Sequence, residues 1–313
     1  MLTQRKVRTR KLLPFQLLFA VLFSSTIVWA QQTQDEADVV RVNADLVVLN
    51  VTVTDGRGEY VHNLRKSDFK IYEDAHEQTI DTISTFSVEE TPFAAAILLD
   101  TSGSMEGRLT LARSAAIRFL DGLRTDDVAA VYRFDTDTEQ VQEFSPSRDL
   151  APIAFNLKAK GMTVLNDAVA RAARDLAARP EKRRAIIILS DGADTHSKLS
   201  EDKALEQAMA ADIMIYAVDM SKIDNGTRTD PQSAAALKTF ASKTGGRYIA
   251  TPGGQALRDA FASIVEELSN QYTIGYRPQN RARDGHWRTL EVKIPTHGDA
   301  TARTRKGYRA PKQ

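Results

Sequence analysis

The 313-residue sequence contains no cysteine. This absence excludes disulfide bonds, thiolate metal ligands and a cysteine nucleophile. Histidine is scarce as well, and none of the five histidines stands at helical pair spacing with another. A zinc site or a histidine acid–base pair is therefore not expected. The fold has to be stabilised by packing, with or without a bound metal ion of another kind.

Several motifs of common enzyme classes are also missing. The sequence contains no G-x-S-x-G motif, no Walker loop and no dinucleotide-binding fingerprint. A magnesium-dependent hydrolase needs a base or a nucleophile beside its metal, and the sequence nominates none. We therefore expect a protein that is not an enzyme.

A hydrophobic run of nearly membrane length occurs only at the N-terminus. Residues 12–23 form an apolar run interrupted by Gln16, which follows a basic stretch and precedes Val28-Trp29-Ala30, where small residues stand before a cut at Gln31. This order predicts a secretory signal peptide over residues 1–30 and a flexible leader over 31–40. An uncleaved signal anchor is the alternative, and it would be the only membrane contact. The protein is expected to be exported to the periplasm, the cell surface or the medium.

The sequence also has no large excess of charge of either sign. The formal net charge is +1, but the first thirty residues contain five basic residues and no acidic ones. The rest of the chain has 37 basic and 41 acidic residues, so neither nucleic acid nor an anionic membrane is expected as a partner. The arginines at 281, 283 and 288 around Trp287 are interpreted as a solvated hairpin tip, not as a platform for a nucleic acid strand.

Alternating apolar residues mark β structure at both ends of the remaining chain. Val47, Leu49, Val51 and Val53 alternate with other residues, and further strands are predicted at 69–72 and 80–86. These strands define an N-terminal β module over residues 41–90. Strands at 272–276, 289–294 and 301–308 define a C-terminal segment over 271–313. Since three strands alone are barely stable, we expect the two ends to pack into one small β-sandwich-like module.

Strands and helices alternate between these two ends, from residue 92 to residue 270. The apolar run 94–99 has the composition of a buried parallel strand, and 186–189 and 213–218 repeat it. Apolar residues at helical spacing follow the first strand and recur between Leu257 and Leu268. This alternation predicts a doubly wound, mostly parallel α/β sheet of the Rossmann-like type, with helices on both faces.

Oxygen-bearing side chains stand where two of these strands end. The first strand leads directly into Asp100, Ser102 and Ser104, and a later one ends in Ser190-Asp191-Gly192. Ligands bind at the carboxyl ends of parallel strands, and hard oxygen donors favour Mg²⁺, Mn²⁺ or Ca²⁺. The alternative is that the serines only cap the next helix and that Asp191 only makes a turn. Asp135 and Asp137 are interpreted as turn residues.

These residues, with the Gly-Met-Thr-Val-Leu-Asn-Asp-Ala stretch at 161–168, resemble the metal-ion-dependent adhesion site of von Willebrand factor type A domains. The resemblance covers about residues 92–270, and Met162 stands where many relatives have a second glycine. It implies a metal shell whose members are Asp100, Ser102, Ser104, Thr163 and Asp191. It also implies an open coordination position that an aspartate or glutamate of a partner protein completes. The flanking β segments resemble those of bacterial exported proteins of the same family.

The expected function is therefore an exported, metal-dependent module for protein binding or adhesion. Its cofactor is one divalent cation, with Mg²⁺ favoured over Mn²⁺ and Ca²⁺. Its expected partner is a protein with an exposed Asp or Glu side chain. Two alternatives stay open: an assembly or activation factor for an envelope complex, and a structural metal ion without a ligand role.

Overall fold

The structure is a computed structural model that describes residues 46–84, 91–192, 194–221, 223–224, 227–228, 233–250 and 254–312. All of these residues lie within one compact unit, residues 44–313. The predicted signal peptide and leader lie outside the described residues. No helix in the described ranges is long and apolar enough to cross a membrane.

Sixteen strands and five α-helices follow one another in the described part of the chain. They are β1 (Val47–Thr54), β2 (Lys70–Glu73), β3 (His76–Gln78), β4 (Ile80–Ser84), β5 (Phe93–Asp100), α1 (Leu109–Asp121), β6 (Val128–Phe134), β7 (Thr138–Ser145), α2 (Leu165–Ala177), β8 (Arg183–Ser190), α3 (Glu201–Ala210), β9 (Ile213–Asp219), β10 (Ile223–Asp224), β11 (Thr227–Arg228), α4 (Ser233–Thr244), β12 (Tyr248–Ala250), α5 (Gly254–Ser269), β13 (Tyr272–Tyr276), β14 (Trp287–Lys293), β15 (Thr301–Arg303) and β16 (Gly307–Arg309).

The central sheet has six strands in the order β12-β9-β8-β5-β6-β7, and only the edge strand β7 runs antiparallel to its neighbour. Every residue of β5 is buried, because helices cover both faces of the sheet. Ile97 and Leu99 pack with α1 and α5 on one face, while Ala96 and Leu98 pack with α2, α3 and α4 on the other. The predicted doubly wound α/β fold is confirmed.

Two antiparallel four-stranded sheets form the second part of the fold, in the orders β15-β1-β13-β4 and β16-β14-β2-β3. Each sheet combines strands from both ends of the described chain. Their inner faces share one core, to which Leu49, Val51, Ile71, Ile274 and Val292 belong. This arrangement confirms a β-sandwich-like module built from the N- and C-terminal segments.

The single strand predicted for 301–308 is wrong, because the structure has two short strands there, in different sheets. Between them, Thr304 Oγ1 donates to the Asn50 carbonyl at 2.8 Å, and the Lys306 amide donates to the Lys243 carbonyl at 3.2 Å. These bonds turn the chain toward β1 and α4, so that it crosses from one sheet to the other. A second difference is the additional strand β3, which forms a hairpin with β2 through Asp74 and Ala75, both at positive φ.

A buried carboxylate on α5 joins the α/β part to the β module. Glu267 Oε1 accepts hydrogen bonds from the Tyr216 hydroxyl of β9 at 2.7 Å and from the Thr52 hydroxyl of β1 at 3.2 Å. Arg303 of β15 also donates to this oxygen, and Arg247 forms an ion pair with Oε2 at 2.9 Å. Two arginines and two hydroxyls therefore offset the cost of burying one charge.

A buried guanidinium holds the two chain segments that connect these parts. Arg183, the first residue of β8, donates to the Gln271 carbonyl at 2.7 Å and to the Thr91 carbonyl at 3.3 Å. Thr91 precedes β5, and Gln271 follows α5. Burial lowers the pKa of Arg183 to about 10, so the side chain stays charged at neutral pH. Both connections therefore lie at the amino ends of β5 and β8.

We predict that Glu267→Ala lowers the free energy of unfolding by about 3–5 kcal/mol, because it leaves Arg303 and Arg247 without their buried partner. Urea denaturation measures the change. Glu266→Ala is the matched control, since this neighbour on the same helix is exposed, and it should shift the value by less than about 0.5 kcal/mol. Equal losses in both variants would show that Glu267 does not hold the two parts together.

Candidate metal centre

The candidate site lies at the carboxyl edge of the central sheet. Asp100 is the last residue of β5, Ser190 is the last residue of β8, and these two strands are neighbours. Because parallel strands end at the same edge, Asp100 and Asp191 are brought close together. The Ser190 hydroxyl donates to Asp100 Oδ2 at 2.5 Å, which fixes one strand end to the other.

The loop that follows β5 folds back onto its own aspartate. The Ser102 amide donates to Asp100 Oδ1 at 2.8 Å, and the hydroxyl oxygens of Ser102 and Ser104 are 3.0 Å apart. Ser102 is buried and Ser104 is exposed. Neither serine side chain caps a following helix, because Ser102 makes no side-chain cap bond to the 3-10 helix Gly103–Met105, and the N-cap of α1 is Arg108. The two hydroxyls therefore stay close together beside the Asp100 carboxylate.

Asp191 has a carboxylate oxygen that the described residues do not satisfy. Its Oδ2 lies 3.5 Å from Arg108 Nη2, whereas its buried Oδ1 has no hydrogen-bond partner in the described part of the chain. Arg108 also donates to the carbonyls of Ser104 and Met220. Gly192 follows at φ 85° and donates its amide to the Ser190 hydroxyl at 2.9 Å, so the motif does form a turn. The turn leaves one Asp191 oxygen without a donor.

The loop that contains Thr163 is held against the loop after β5. The Gly103 amide donates to the Gly161 carbonyl at 3.2 Å, and the Thr163 amide donates to Thr195 Oγ1 at 2.9 Å. Thr163 itself is buried. These bonds bring the third predicted loop to the same edge, although within the described ranges no hydrogen bond joins the Thr163 hydroxyl to Asp100.

Glycine is required at position 161, whereas the residue after it is free to vary. Gly161 has φ 74°, and a Cβ there would come within 2.3 Å of Thr136 Oγ1. The Met162 amide donates to the same Thr136 oxygen at 3.3 Å, and 53% of the Met162 side chain is exposed. A methionine in place of the second glycine therefore points into solvent without displacing the loop.

Two carboxylates outside the predicted set support these loops. Asp135 accepts hydrogen bonds from the Thr101 hydroxyl at 3.2 Å and from the Thr136 amide at 2.5 Å, so this turn residue also positions the loop after β5. Asp194 accepts a bond from the Asn166 amide at 2.8 Å, at the first turn of α2. Sequence reasoning missed the contribution of Asp194.

Sequence reasoning also missed Ser190 and Arg108. Ser190 directly precedes Asp191 in the Ser-Asp-Gly motif, so its place at a strand end was the available signal. For Arg108, the sequence offered no indication of a role at the site except its position four residues after Ser104. Its contact with Asp191 depends on how the loop folds.

The electrostatics of the site favour a cation. Burial raises the pKa of the Asp100 carboxyl from 3.8 to about 6, and the negative charge of Asp191 adds to the shift, while hydrogen bonds from Ser102 and Ser190 oppose it. No cluster of three or more His, Cys, Asp or Glu side chains is placed to hold a metal in the described ranges. A metal at this edge would therefore use two carboxylates together with neutral hydroxyls. This oxygen donor set fits Mg²⁺, Mn²⁺ or Ca²⁺, and the unsatisfied Asp191 oxygen is available to it.

We predict that Asp100→Asn stabilises the metal-free protein at pH 7. The pKa of Asp100 is higher in the folded state than in the unfolded state, so the folded state binds more protons between about pH 4 and 6. The native protein therefore loses up to about 3 kcal/mol relative to the Asn variant as the pH rises through this window. Urea denaturation in EDTA at pH 4 and pH 7 measures the difference.

The two proteins should be equally stable near pH 4 in that experiment. Excess Mg²⁺ at pH 7 should reverse the order, because the ion offsets the negative charge of native Asp100. A native protein that is more stable than Asp100→Asn in EDTA at pH 7 would contradict the electrostatic account of the site.

Comparison with known proteins shows a family resemblance in the central part of the chain. A sequence model of the von Willebrand factor type A domain matches residues 95–193. An uncharacterized protein of Synechocystis sp. is 29% identical over 184 residues, which are 57% of this chain and 42% of that protein, so this chain covers less than half of its relative's length.

Among solved structures, one with a TM-score of 0.50 supports the fold. A von Willebrand factor type A structure from Catenulispora acidiphila has a TM-score of 0.50 at 15% identity, and the match covers 87% of this chain and 75% of that chain. An aerotolerance-related membrane protein from Bacteroides fragilis has a TM-score of 0.48 at 19% identity, over 56% of this chain and 98% of that chain. The match identifies residues 95–193 as von Willebrand factor type A sequence, and the sheet order and the three loops at its carboxyl edge agree with it.

Proposed function

We propose that this protein is an exported, metal-dependent binding module that captures an acidic side chain of a partner protein. The observation that carries the proposal is the pair of buried carboxylates, Asp100 and Asp191, at the exposed edge of the sheet, with one Asp191 oxygen lacking a hydrogen-bond donor. A divalent cation would satisfy that oxygen. We assign the metal shell to Asp100, Ser102, Ser104, Thr163 and Asp191.

The charge of this donor set favours an anionic partner. Two carboxylates formally neutralise a divalent ion, but Arg108 lies beside Asp191 and offsets part of the negative charge of its carboxylate. The hydroxyls of the shell are neutral donors. An ion held in this way stays electron-poor and attracts a further carboxylate, which an Asp or Glu of the partner supplies. The exposed side chains of Ser104 and Met162 stand where such a partner would approach.

The surroundings of the site favour binding over catalysis. The nearby carboxylates of Asp135 and Asp194 already accept hydrogen bonds that hold the loops: Asp135 from Thr101 and Thr136, Asp194 from Asn166 and Ser197. A general base has to be free to take a proton from a reacting group. Because Asp135 and Asp194 hold the loops through these hydrogen bonds, neither is placed to act as a general base, and this supports a non-enzymatic role.

The location of the protein is part of the same proposal. The N-terminal sequence directs export, so the binding module acts in the periplasm, on the cell surface or in the medium. An assembly or activation factor for an envelope complex would use the same site on a different partner. A purely structural metal ion is the competing account. In that case, mutation of a metal ligand would lower the melting temperature and leave partner binding intact.

We predict that Thr163→Ala and Asp191→Ala weaken partner binding at least tenfold while changing the melting temperature by only a few degrees. The first step is to isolate a partner from envelope extracts with the protein in Mg²⁺, and to show its release by EDTA. Titration calorimetry then gives the affinity of each variant for that partner and for Mn²⁺ alone.

Thr110→Ala, at an exposed threonine on α1, is the matched control and should bind as the native protein does. Loss of Mn²⁺ binding together with loss of partner binding supports the proposal. A large fall in melting temperature with full partner binding retained would leave the ion as a structural element.

A further inference from the structure

A cleft of about 1300 Å³ runs along α3. One wall is α3 together with Asp212, which directly precedes β9. The other wall consists of the start of β1, the chain between β13 and β14, and the C-terminal residues from Arg305 onward. None of the proposed metal ligands lines it.

The lining carries a strong positive charge. Seven basic and three acidic side chains line the cleft, an excess of four positive charges. Lys203 lies on α3, and Lys243 lies near the end of α4. The opposite wall carries Arg281, Arg283, Arg305, Arg309 and Lys312.

This positive charge is local, because the chain beyond its first thirty residues has more acidic than basic residues. Two of the three acids in the cleft are already engaged: Asp212 pairs with Arg305, and Glu206 pairs with Lys203 at 2.8 Å. A basic cleft on an acidic body concentrates anionic ligands at one place.

Apolar and aromatic side chains occur between these charges. Trp287 lines the cleft with 37% of its surface exposed, and Leu46 is exposed to 36%. The Arg305 guanidinium lies over the Tyr308 ring, 5.6 Å from its centroid. Aromatic residues and arginine are the types enriched at protein interfaces. A small inorganic anion would leave this apolar lining unused, and a nucleic acid strand would require a row of stacking rings.

We propose that this cleft binds an acidic peptide segment that also contains apolar side chains, supplied by a protein partner. The carboxylates of the segment pair with the basic residues of the cleft, and its apolar side chains contact Trp287 and Leu46. This binding does not involve the metal ion, so the protein has two recognition sites of different chemistry.

Trp287 provides a direct measurement. The sequence has two tryptophans, Trp29 and Trp287, so the full chain with Trp29→Phe reports on the cleft through its one remaining indole. The probe is a synthetic peptide of about ten residues made of Glu, Asp and Leu, added in EDTA to exclude the metal centre. We expect a saturable change in Trp287 emission that weakens as salt rises above about 0.15 M.

Arg281→Glu combined with Lys312→Glu should weaken peptide binding at least tenfold, because both side chains are exposed and line the cleft. Arg57→Glu combined with Arg118→Glu is the matched control, since it reverses two exposed charges that lie outside the cleft. The control should bind the peptide as the parent does. Equal melting temperatures for the three proteins would show that the variants fold.

Three results would overturn the proposal. The first is an unchanged Trp287 emission up to millimolar peptide, and the second is equal binding by the two charge-reversed pairs. The third is tight binding of an oligothymidylate with no binding of the peptide, which would make the cleft a nucleic acid site. Peptide binding in EDTA that survives Asp191→Ala would support the cleft even if the metal centre proved structural.

Discussion

Backbone pairing of β13 with β1 on one side and β4 on the other joins the N- and C-terminal segments of the described chain in one sheet of the β module. The α/β part of the chain begins after β4 and ends before β13, so its two ends must meet where these strands pair. Arg183 fixes both connections by donating to the carbonyls of Thr91 and Gln271. Once the ends are fixed there, the carboxyl ends of the parallel strands have to face the opposite way. The position of the candidate metal site, at the sheet edge opposite these connections, therefore follows from a strand pairing in the other part of the molecule.

Much of the fold could be predicted from local patterns. The apolar run before Asp100 identified β5, because a strand buried on both faces has no polar positions. The alternation from Val47 to Val53 identified β1, because only one of its faces meets the core of the module. The loops of the candidate metal site could be predicted for the same reason, since each directly follows a recognisable strand or begins a helix.

The remainder depends on contacts between distant residues. The break between β15 and β16 arises from the bond of Thr304 to Asn50, and no local pattern marks it. Glu267 stands in α5 next to exposed Glu266, and a helical pattern gives the two acids the same interpretation. The β module covers only one of them, so burial of the second acid could not be derived from the helix alone. The contact of Arg108 with Asp191 could not be predicted either, because the two residues are far apart in the sequence.

The direction of β5 and β8 has a mechanical consequence. A partner held at the Asp100 edge would pull on the carboxyl ends of these strands, while both connections to the β module leave from their amino ends. The load would then run parallel to the strands, and the backbone hydrogen bonds that join β5 to β6 and β8 would bear it together instead of opening one after another. Such a geometry suits an attachment under tension, in which the central sheet acts as the element that transmits force.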